Sequence, residues 1–268
     1  MPTHDLEGEV AVVTGGGRGI GSGIAHRFAE EGMHVAILDT DHLDYEYNQY
    51  DSKEIGGYDE AQGVVSEIEG MGGEAMAIDC DVTKADQVHD AVETVVDEWG
   101  GIDVMVNNAG IITANYLEEL DEEEWDALFD VNVKGVFLGS QAVIPHMKAR
   151  GDGRIINTAS IAGKMPFPGL AHYVASKYAV LGLTKTMAME LAGDGVTVNA
   201  ICPGILNTAM WENVLTPFFD QPFEKSLEAN IPQGTEQTPE EMADLAVYFA
   251  TNPSVTGQAV NVDGGAQM

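Results

Sequence analysis

Basic residues are scarce in this chain. Its 268 residues include 12 Lys and Arg against 44 Asp and Glu, a formal net charge of -32. Nucleic acids are gripped by dense Lys/Arg surfaces, so they are excluded as partners, and anionic membrane surfaces are disfavoured for the same reason. Cysteine is almost absent: Cys80 and Cys202 are too few for a disulfide framework and lack metal-ligand spacing. The seven His include no His-x-x-x-His pair, so no metal site is expected. No apolar stretch reaches the roughly 18 residues of a membrane span. The polar, acidic start from Met1 to Glu9 does not read as a signal peptide. The expected location is therefore the reducing cytoplasm. Repeats of about 20–50 residues and low-complexity linkers are also missing, so residues 1–268 read as one domain.

The acidic excess is a property of the surface, not of the fold. The Lys set is confined to Lys53, Lys84, Lys134, Lys148, Lys164, Lys177, Lys185 and Lys225. Both features point to adaptation to high intracellular salt, where screening shortens self-repulsion to about 3 Å at 1 M. On that reading stability is lost in dilute buffer, where repulsion reaches about 30 Å at ~0.01 M. Full stability there would overturn it.

What is present is alternation. Glu9 to Thr14 is an apolar run that reads as a buried strand, and Ser22 to Glu31 places Ile24, Ala25 and Phe28 on one helical face, with Gly32 as C-cap. His34 to Leu38 is a second strand, ending at Asp39. Helices follow at Gln62 to Met71, Ala85 to Trp99, Glu122 to Lys148 (one or two), His172 to Ala192 and Pro239 to Ala250. Strands fall at Glu74 to Ile78, Ile102 to Asn107, Arg154 to Ala159, Thr197 to Ile201 and Ala259 to Val262. Such alternation predicts an α/β, three-layer Rossmann fold: a doubly wound parallel sheet of about seven strands with helices on both faces. Two segments break the pattern. Residues 41–57, with Tyr45, Tyr47 and Tyr50, read as an insertion after the second strand. Residues 205–237 carry Trp211, Phe218, Phe219, Phe223, Pro217, Pro222 and Pro232, and read as a substrate lid.

Between the first strand and helix lies Thr14-Gly15-x-x-x-Gly19-Ile20-Gly21. Glycines let backbone approach a ligand, and the following helix N-terminus suits a pyrophosphate. This context points to a nucleotide. Asp39 stands eighteen residues after Gly21, where a carboxylate accepts from ribose hydroxyls and repels a 2′-phosphate. NAD is therefore expected over NADP, with Arg18 as the counter-signal. Tyr173 and Lys177, at i and i+4, share a helix face, and Ser160 lies thirteen residues before Tyr173.

With Asn107-Asn108-Ala109-Gly110 and Pro203-Gly204 added, the chain resembles the classical short-chain dehydrogenase/reductase family from Gly8 to Gly265. The resemblance implies Tyr173 as acid/base, with Lys177, Ser160 and Asn132 completing the catalytic set. Asn132 would hold a water linking Lys177 to solvent. The resemblance also implies cofactor contacts at Asp81 and Val82, at Asn108, Ala109 and Gly110, and at Pro203, Gly204 and Thr208, besides Gly15, Arg18, Gly19, Ile20, Gly21 and Asp39. A homotetramer is implied too, with contacts through helices around Asp126 to His146 and Tyr173 to Ala192.

A phenol with a reference pKa near 10 is a poor base, and a nearby ammonium should lower that value. Lys177 is expected to do so for Tyr173. Cys202 and the Met187, Met189, Leu191 group read as packing, the latter at a subunit interface, and Asp121 as a helix N-cap. Lys164, Phe167, Pro168, His172, Trp211 and Asn213 are the expected pocket residues. They suggest a sugar, polyol or sugar acid such as a 2-keto-3-deoxy sugar acid, oxidised with NAD. The alternatives are a 3-oxoacyl-carrier reductase, a carveol-dehydrogenase-like enzyme, and a non-enzymatic NAD sensor.

Overall fold

The computed structural model describes residues 4–42 and 57–267. Its sheet has seven strands: β1 (Val10–Thr14), β2 (His34–Asp39), β3 (Ala75–Asp79), β4 (Val104–Asn107), β5 (Gly153–Thr158), β6 (Val196–Pro203) and β7 (Ala259–Val262). All pair in parallel, in the order β3-β2-β1-β4-β5-β6-β7. Parallel strands are buried on both faces, which is why β1, β4, β5 and β6 are buried throughout. Side chains alternate between two cores. Ala11, Val13, Val35 and Ile37 face one layer with Ile24, Phe28 and Phe249. Val10, Val12, Ala36 and Leu38 face the other with Val92, Val95, Val143 and Met147. That period of two makes the three layers.

The helices are α1 (Gly19–Glu30), α2 (Gly57–Gly70), α3 (Ala85–Trp99), α4 (Glu122–Phe129), α5 (Gly135–Arg150), α6 (Ala171–Leu191), α7 (Thr216–Phe219), α8 (Phe223–Asn230) and α9 (Pro239–Thr251). Helix α1 starts three residues before Ser22, so Gly19, Ile20 and Gly21 form its first turn. Helix α9 opens on a capping box between Thr238 and Glu241, with Pro239 in the first turn. Helices α4 and α5 are joined by a π-helical turn, Asp130–Lys134.

The joined run Glu122–Arg150 is 29 residues long, with a window of mean hydropathy 1.2, enough by length and composition to cross a membrane. No such stretch is visible in the sequence when only unbroken apolar runs are counted. Here the apolar side chains have a different destination: Leu138, Val143 and Met147 pack on the sheet.

Residues 205–237 are not a bare loop. They hold a π-helical turn (Trp211–Leu215), α7 and α8. Of the expected insertion at 41–57, residues 43–56 lie outside the described residues. Asp41 caps α2 across that gap, its Oδ1 accepting from the amides of Tyr58 (2.7 Å) and Asp59 (3.1 Å). Asp121 sits at the N-cap position of α4, with no side-chain cap bond to the helix.

Candidate active site

A cavity of about 730 Å³ opens along the carboxyl ends of the strands. Strand order reverses at β1 and β4, and ligands of open α/β sheets bind at such a switch point. One end of the cavity is made of backbone. Gly15 has φ +62°, and a Cβ there would lie 2.8 Å from Ala109 Cα. A Cβ on Gly21 would lie 2.1 Å from the Gly15 carbonyl oxygen. Gly21 therefore packs beneath the turn, while Gly15, Arg18, Gly19 and Ile20 line the cavity. Asn108 ties the turn to β4: its Nδ2 donates to the carbonyls of Thr14 (3.1 Å) and Gly15 (2.9 Å). Its own amide donates to Thr14 Oγ1 at 2.9 Å. Thr14 is thus the hinge pin of the turn, a role its sequence position does not announce.

Asp39 lines the same end. Its Oδ2 accepts from the Gly17 amide and its Oδ1 from the Thr40 amide, both at 2.9 Å. Burial pushes its carboxyl above the usual carboxylate range, against the pull of those amides and of Arg18. The Arg18 guanidinium is itself engaged, with Nε 3.0 Å from Glu60 Oε2. Sequence reasoning misses Glu60, because only the fold brings α2 over the turn. Burial raises its carboxyl too, and Asp39 and Asp41 add to the rise. At β3 the cavity wall is Cys80 and Val82, not Asp81. Asp81 turns inward and accepts from the Thr83 amide at 2.9 Å. Ala109, Gly110, Pro203, Gly204 and Thr208 line the cavity.

At the centre the fold brings Ser160, Tyr173, Lys177 and Asn132 together. Ser160 Oγ accepts from the Ala162 amide at 3.1 Å and is hydrogen-bonded to the Tyr173 side chain. Lys177 Nζ donates to the Thr158 carbonyl at 3.0 Å and lies 5.6 Å from the Tyr173 ring centre. Asn132 stands on the π-helical turn, the kind of irregularity that re-aims a side chain at functional sites. It clamps Ile111, accepting from its amide (2.8 Å) and donating to its carbonyl (2.9 Å). Its Nδ2 also reaches Ser176 Oγ at 3.3 Å.

The electrostatics reverse one expectation. Burial pushes the Tyr173 phenol up to about 12 against the Ser160 hydrogen bond, and pulls the Lys177 ammonium down to about 8. Desolvation is the largest cause for both groups, and the lysine's field is not among the causes acting on the phenol. At neutral pH the pair is phenol plus ammonium.

The far end is apolar. Ile112, Phe167, Leu170, Met210, Trp211 and Leu215 line it. Asn207, Gln221 and Asn230 add neutral polar groups, and among the described residues the charged ones lining the whole cavity are Arg18, Asp39 and Lys177. Several expected pocket residues are elsewhere. Lys164 is tied to β7, donating to the Ala259 carbonyl at 2.7 Å and to Asn261. His172 is fully buried, and Asn213 is not on the wall. Phe218 packs on Tyr116 (5.5 Å between ring centres) and over Gly169. Cys202, Met187 and Leu191 are core residues as expected, but Met189 is 85% exposed.

A sheet of this order with a glycine turn and a Ser, Tyr, Lys, Asn centre at its carboxyl edge defines a nucleotide-dependent oxidoreductase of the Rossmann class. A family model described as enoyl-(acyl carrier protein) reductase matches residues 15–267. The chain is 41% identical over 260 residues to the 3-oxoacyl-[acyl-carrier-protein] reductase FabG of Staphylococcus epidermidis, covering 96% of this chain and 98% of that one. It is 42% identical over 266 residues to the 3-oxoacyl-[acyl-carrier-protein] reductase of a Synechocystis species, covering 98% of each. Among solved structures, a short-chain type dehydrogenase/reductase from Mycobacterium marinum aligns with a TM-score of 0.86 and 37% identity, over 98% of this chain and 97% of that one. The 3-ketoacyl-(acyl-carrier-protein) reductase of Brucella melitensis, solved with NADH, aligns at 0.85 and 34% over 98% and 100%. The chain belongs to the short-chain dehydrogenase/reductase family and is an oxidoreductase of that family.

Proposed function

We propose that this enzyme uses NAD(H) to reduce the ketone of an apolar-chain substrate of the 3-oxoacyl type. The observation that carries the reading is the substrate end of the cavity, apolar and, among the described residues, free of charged side chains beyond Lys177. A sugar acid would bury its carboxylate against an apolar wall where Lys177, already bonded to the Thr158 carbonyl, is the one cation among the described residues, which is costly. A polyol would set most of its hydroxyls against that apolar wall, with Asn207, Gln221 and Asn230 as the polar exceptions. The names of the relatives favour the same class. The net charge of -32 weighs against delivery on an acidic carrier, so a small free thioester or ketone is the expected form. A carveol-like alcohol fits the apolar wall equally and is the second reading.

The residues fit a dinucleotide. A turn that tolerates no Cβ at Gly15 or Gly21 lets a pyrophosphate approach the α1 N-terminus. Asp39 lines the turn end of the cavity and Glu60 engages Arg18, so a ribose 2′-phosphate there would meet a carboxylate and an arginine already paired with one. This supports NAD over NADP. When bound, the nicotinamide supplies the hydride. Ser160 Oγ and the Tyr173 hydroxyl hold the carbonyl oxygen, and Tyr173, a phenol at neutral pH, gives it a proton. Lys177 keeps a positive charge beside that phenol for reprotonation. Asn132 fixes the Ile111 segment under the site. We further assign the enzyme to the cytoplasm and to a homotetramer, whose contacts would use the exposed apolar side chains Phe137, Tyr178 and Met189 on α5 and α6.

The test is NADH or NADPH consumption at molar salt with an acetoacetyl thioester, simple apolar ketones, ketoses and keto sugar acids. The thioester or ketones should exceed the sugars at least tenfold in kcat/KM, with NADH preferred. A keto sugar acid turned over faster, or NADPH preferred, would reverse the corresponding half of the proposal.

A further inference from the structure

His172 immediately precedes Tyr173, yet no part of its side chain reaches the cavity. It is fully buried, with Nε2 2.6 Å from Thr113 Oγ1 and 3.6 Å from Glu124 Oε1. Glu124, on the first turn of α4, is only 2% exposed, and its other oxygen accepts from Asn115 Nδ2 at 3.0 Å. Asn115 in turn donates its amide to the Gly169 carbonyl at 2.9 Å and bridges to Leu170. Three segments therefore meet at one imidazole: the wall after β4, the start of α4, and the turn of α6 that carries Tyr173.

The chemistry of the ring can be assigned. Among the described residues, His172 Nδ1 is buried without a hydrogen-bond partner. An orphaned N–H is far rarer than an orphaned lone pair, so the proton belongs on Nε2. From there it donates to Thr113 and faces the Glu124 carboxylate. Burial also pulls His172 below the usual imidazole range, which agrees with a neutral ring.

We propose that His172 is a positioning residue: braced by Glu124 and bonded to Thr113, it sets the distance between the Ile111–Asn115 wall and the Tyr173 hydroxyl. The wall carries Ile111 and Ile112, which line the cavity, so a shift there moves the ketone away from its proton donor. Displacements of about 1 Å can cost on the order of a hundredfold in rate. His172 acts through this geometry and does not touch the reacting atoms. The inference rests on the oxidoreductase class of the chain, not on the substrate class proposed above.

The experiment compares Thr113→Val, His172→Leu and His172→Gln with the wild-type enzyme. Each is saturated with NADH and assayed with the best ketone of the panel above. Thr113→Val and His172→Leu should lower kcat/KM for the ketone at least tenfold, with KM rising, while the NADH Kd stays within twofold. His172→Gln, whose Nε2 reaches the same place, should recover most of the loss. A merely structural histidine would lower thermal stability and leave KM unmoved, and that outcome overturns the proposal, as does a kcat/KM within threefold of wild type. Hydrogen exchange of the NADH complex gives a readout independent of turnover and of the substrate assignment. In Thr113→Val, peptides covering 111–115 and 169–174 should exchange at least tenfold faster together. Unchanged exchange in both would refute the brace even if His172→Leu fails to fold.

Discussion

Around Gly15 and Gly21 the cavity wall is backbone meeting backbone: a Cβ on Gly21 would stand 2.1 Å from a carbonyl oxygen. On the far side, behind the wall residues Pro168 and Leu170, Gly169 leaves a similarly tight notch. A Cβ there would stand 2.4 Å from Phe218 Cε1, but the neighbour is a ring on the lid. A carbonyl within a strand–turn–helix unit cannot move without the sheet. A phenyl ring on a short helix can swing. The cofactor end is thus constrained atom by atom, whereas the substrate end is constrained in volume and polarity. The same fold can keep one ligand fixed and let the other vary. Tyr173 sits at the seam, so the comparison makes its sharpest statement there. Tyr173→Phe should lower kcat by about 10²–10⁴, the usual reach of a general acid. NADH affinity should hold within twofold in a fluorescence titration. A parallel loss of NADH binding would show that the two ends are not separable.

The next largest effect belongs to the turn. Gly21→Ala overpacks a site with no give, a class of change costing about 1–3 kcal/mol. NADH affinity should fall at least tenfold, while any ketone turnover that remains at saturating NADH keeps its KM. A variant with wild-type NADH affinity would mean that the turn is softer than its contacts indicate.

This asymmetry explains which features the sequence made legible. Gly15, Gly19, Gly21, Asp39, Ser160, Tyr173 and Lys177 are read from spacing, because short-range geometry dictates them: a turn, a strand end, one helical step. The seven strands and the sheet class are read from alternation, and Ala85–Trp99 and Ala259–Val262 match residue for residue. Glu60, Thr14 and the inward turn of Asp81 depend on long-range packing, with Glu60 meeting Arg18 across 42 positions. Lys164 and His172 look like pocket residues in the sequence because they flank the start of the catalytic helix. The fold instead gives each a polar partner on another segment: Ala259 and Asn261 for Lys164, Thr113 and Glu124 for His172. The Tyr173 titration escapes the sequence for the same reason. A lysine at i+4 is visible there, but the desolvation that raises the phenol is a property of the closed fold.

The pH response follows from that balance. Below about 8, Lys177 holds its proton and Tyr173 is a phenol; above it the ammonium is lost while the phenol persists toward about 12. Reductive kcat should therefore fall through pH 8 by up to about tenfold per unit. Stability moves oppositely for this group. Its folded value lies below the reference 10.5, so between about 8 and 10.5 the unfolded chain binds the extra proton and the lysine's contribution to stability rises with pH. Activity lost at pH 9 with the melting temperature held or raised fits this account. A flat profile to pH 10 would show that the ammonium is not required.

The smallest effect tests the soft side of the cavity. Gly169 has φ +80°, so Gly169→Ala carries a backbone penalty of roughly 1–2 kcal/mol and pushes on the Phe218 ring. Because that ring rests on Tyr116, itself 52% exposed, the lid has room to shift outward. The ketone KM should rise a few-fold, kcat should change little and NADH affinity should not change. Gly169→Ala combined with Phe218→Leu should recover part of the KM, since the shorter side chain vacates the space that the methyl enters. If Gly169→Ala instead weakened NADH as much as Gly21→Ala does, the lid and the phosphate turn would be one rigid unit, and the contrast between the two ends would fail at its source.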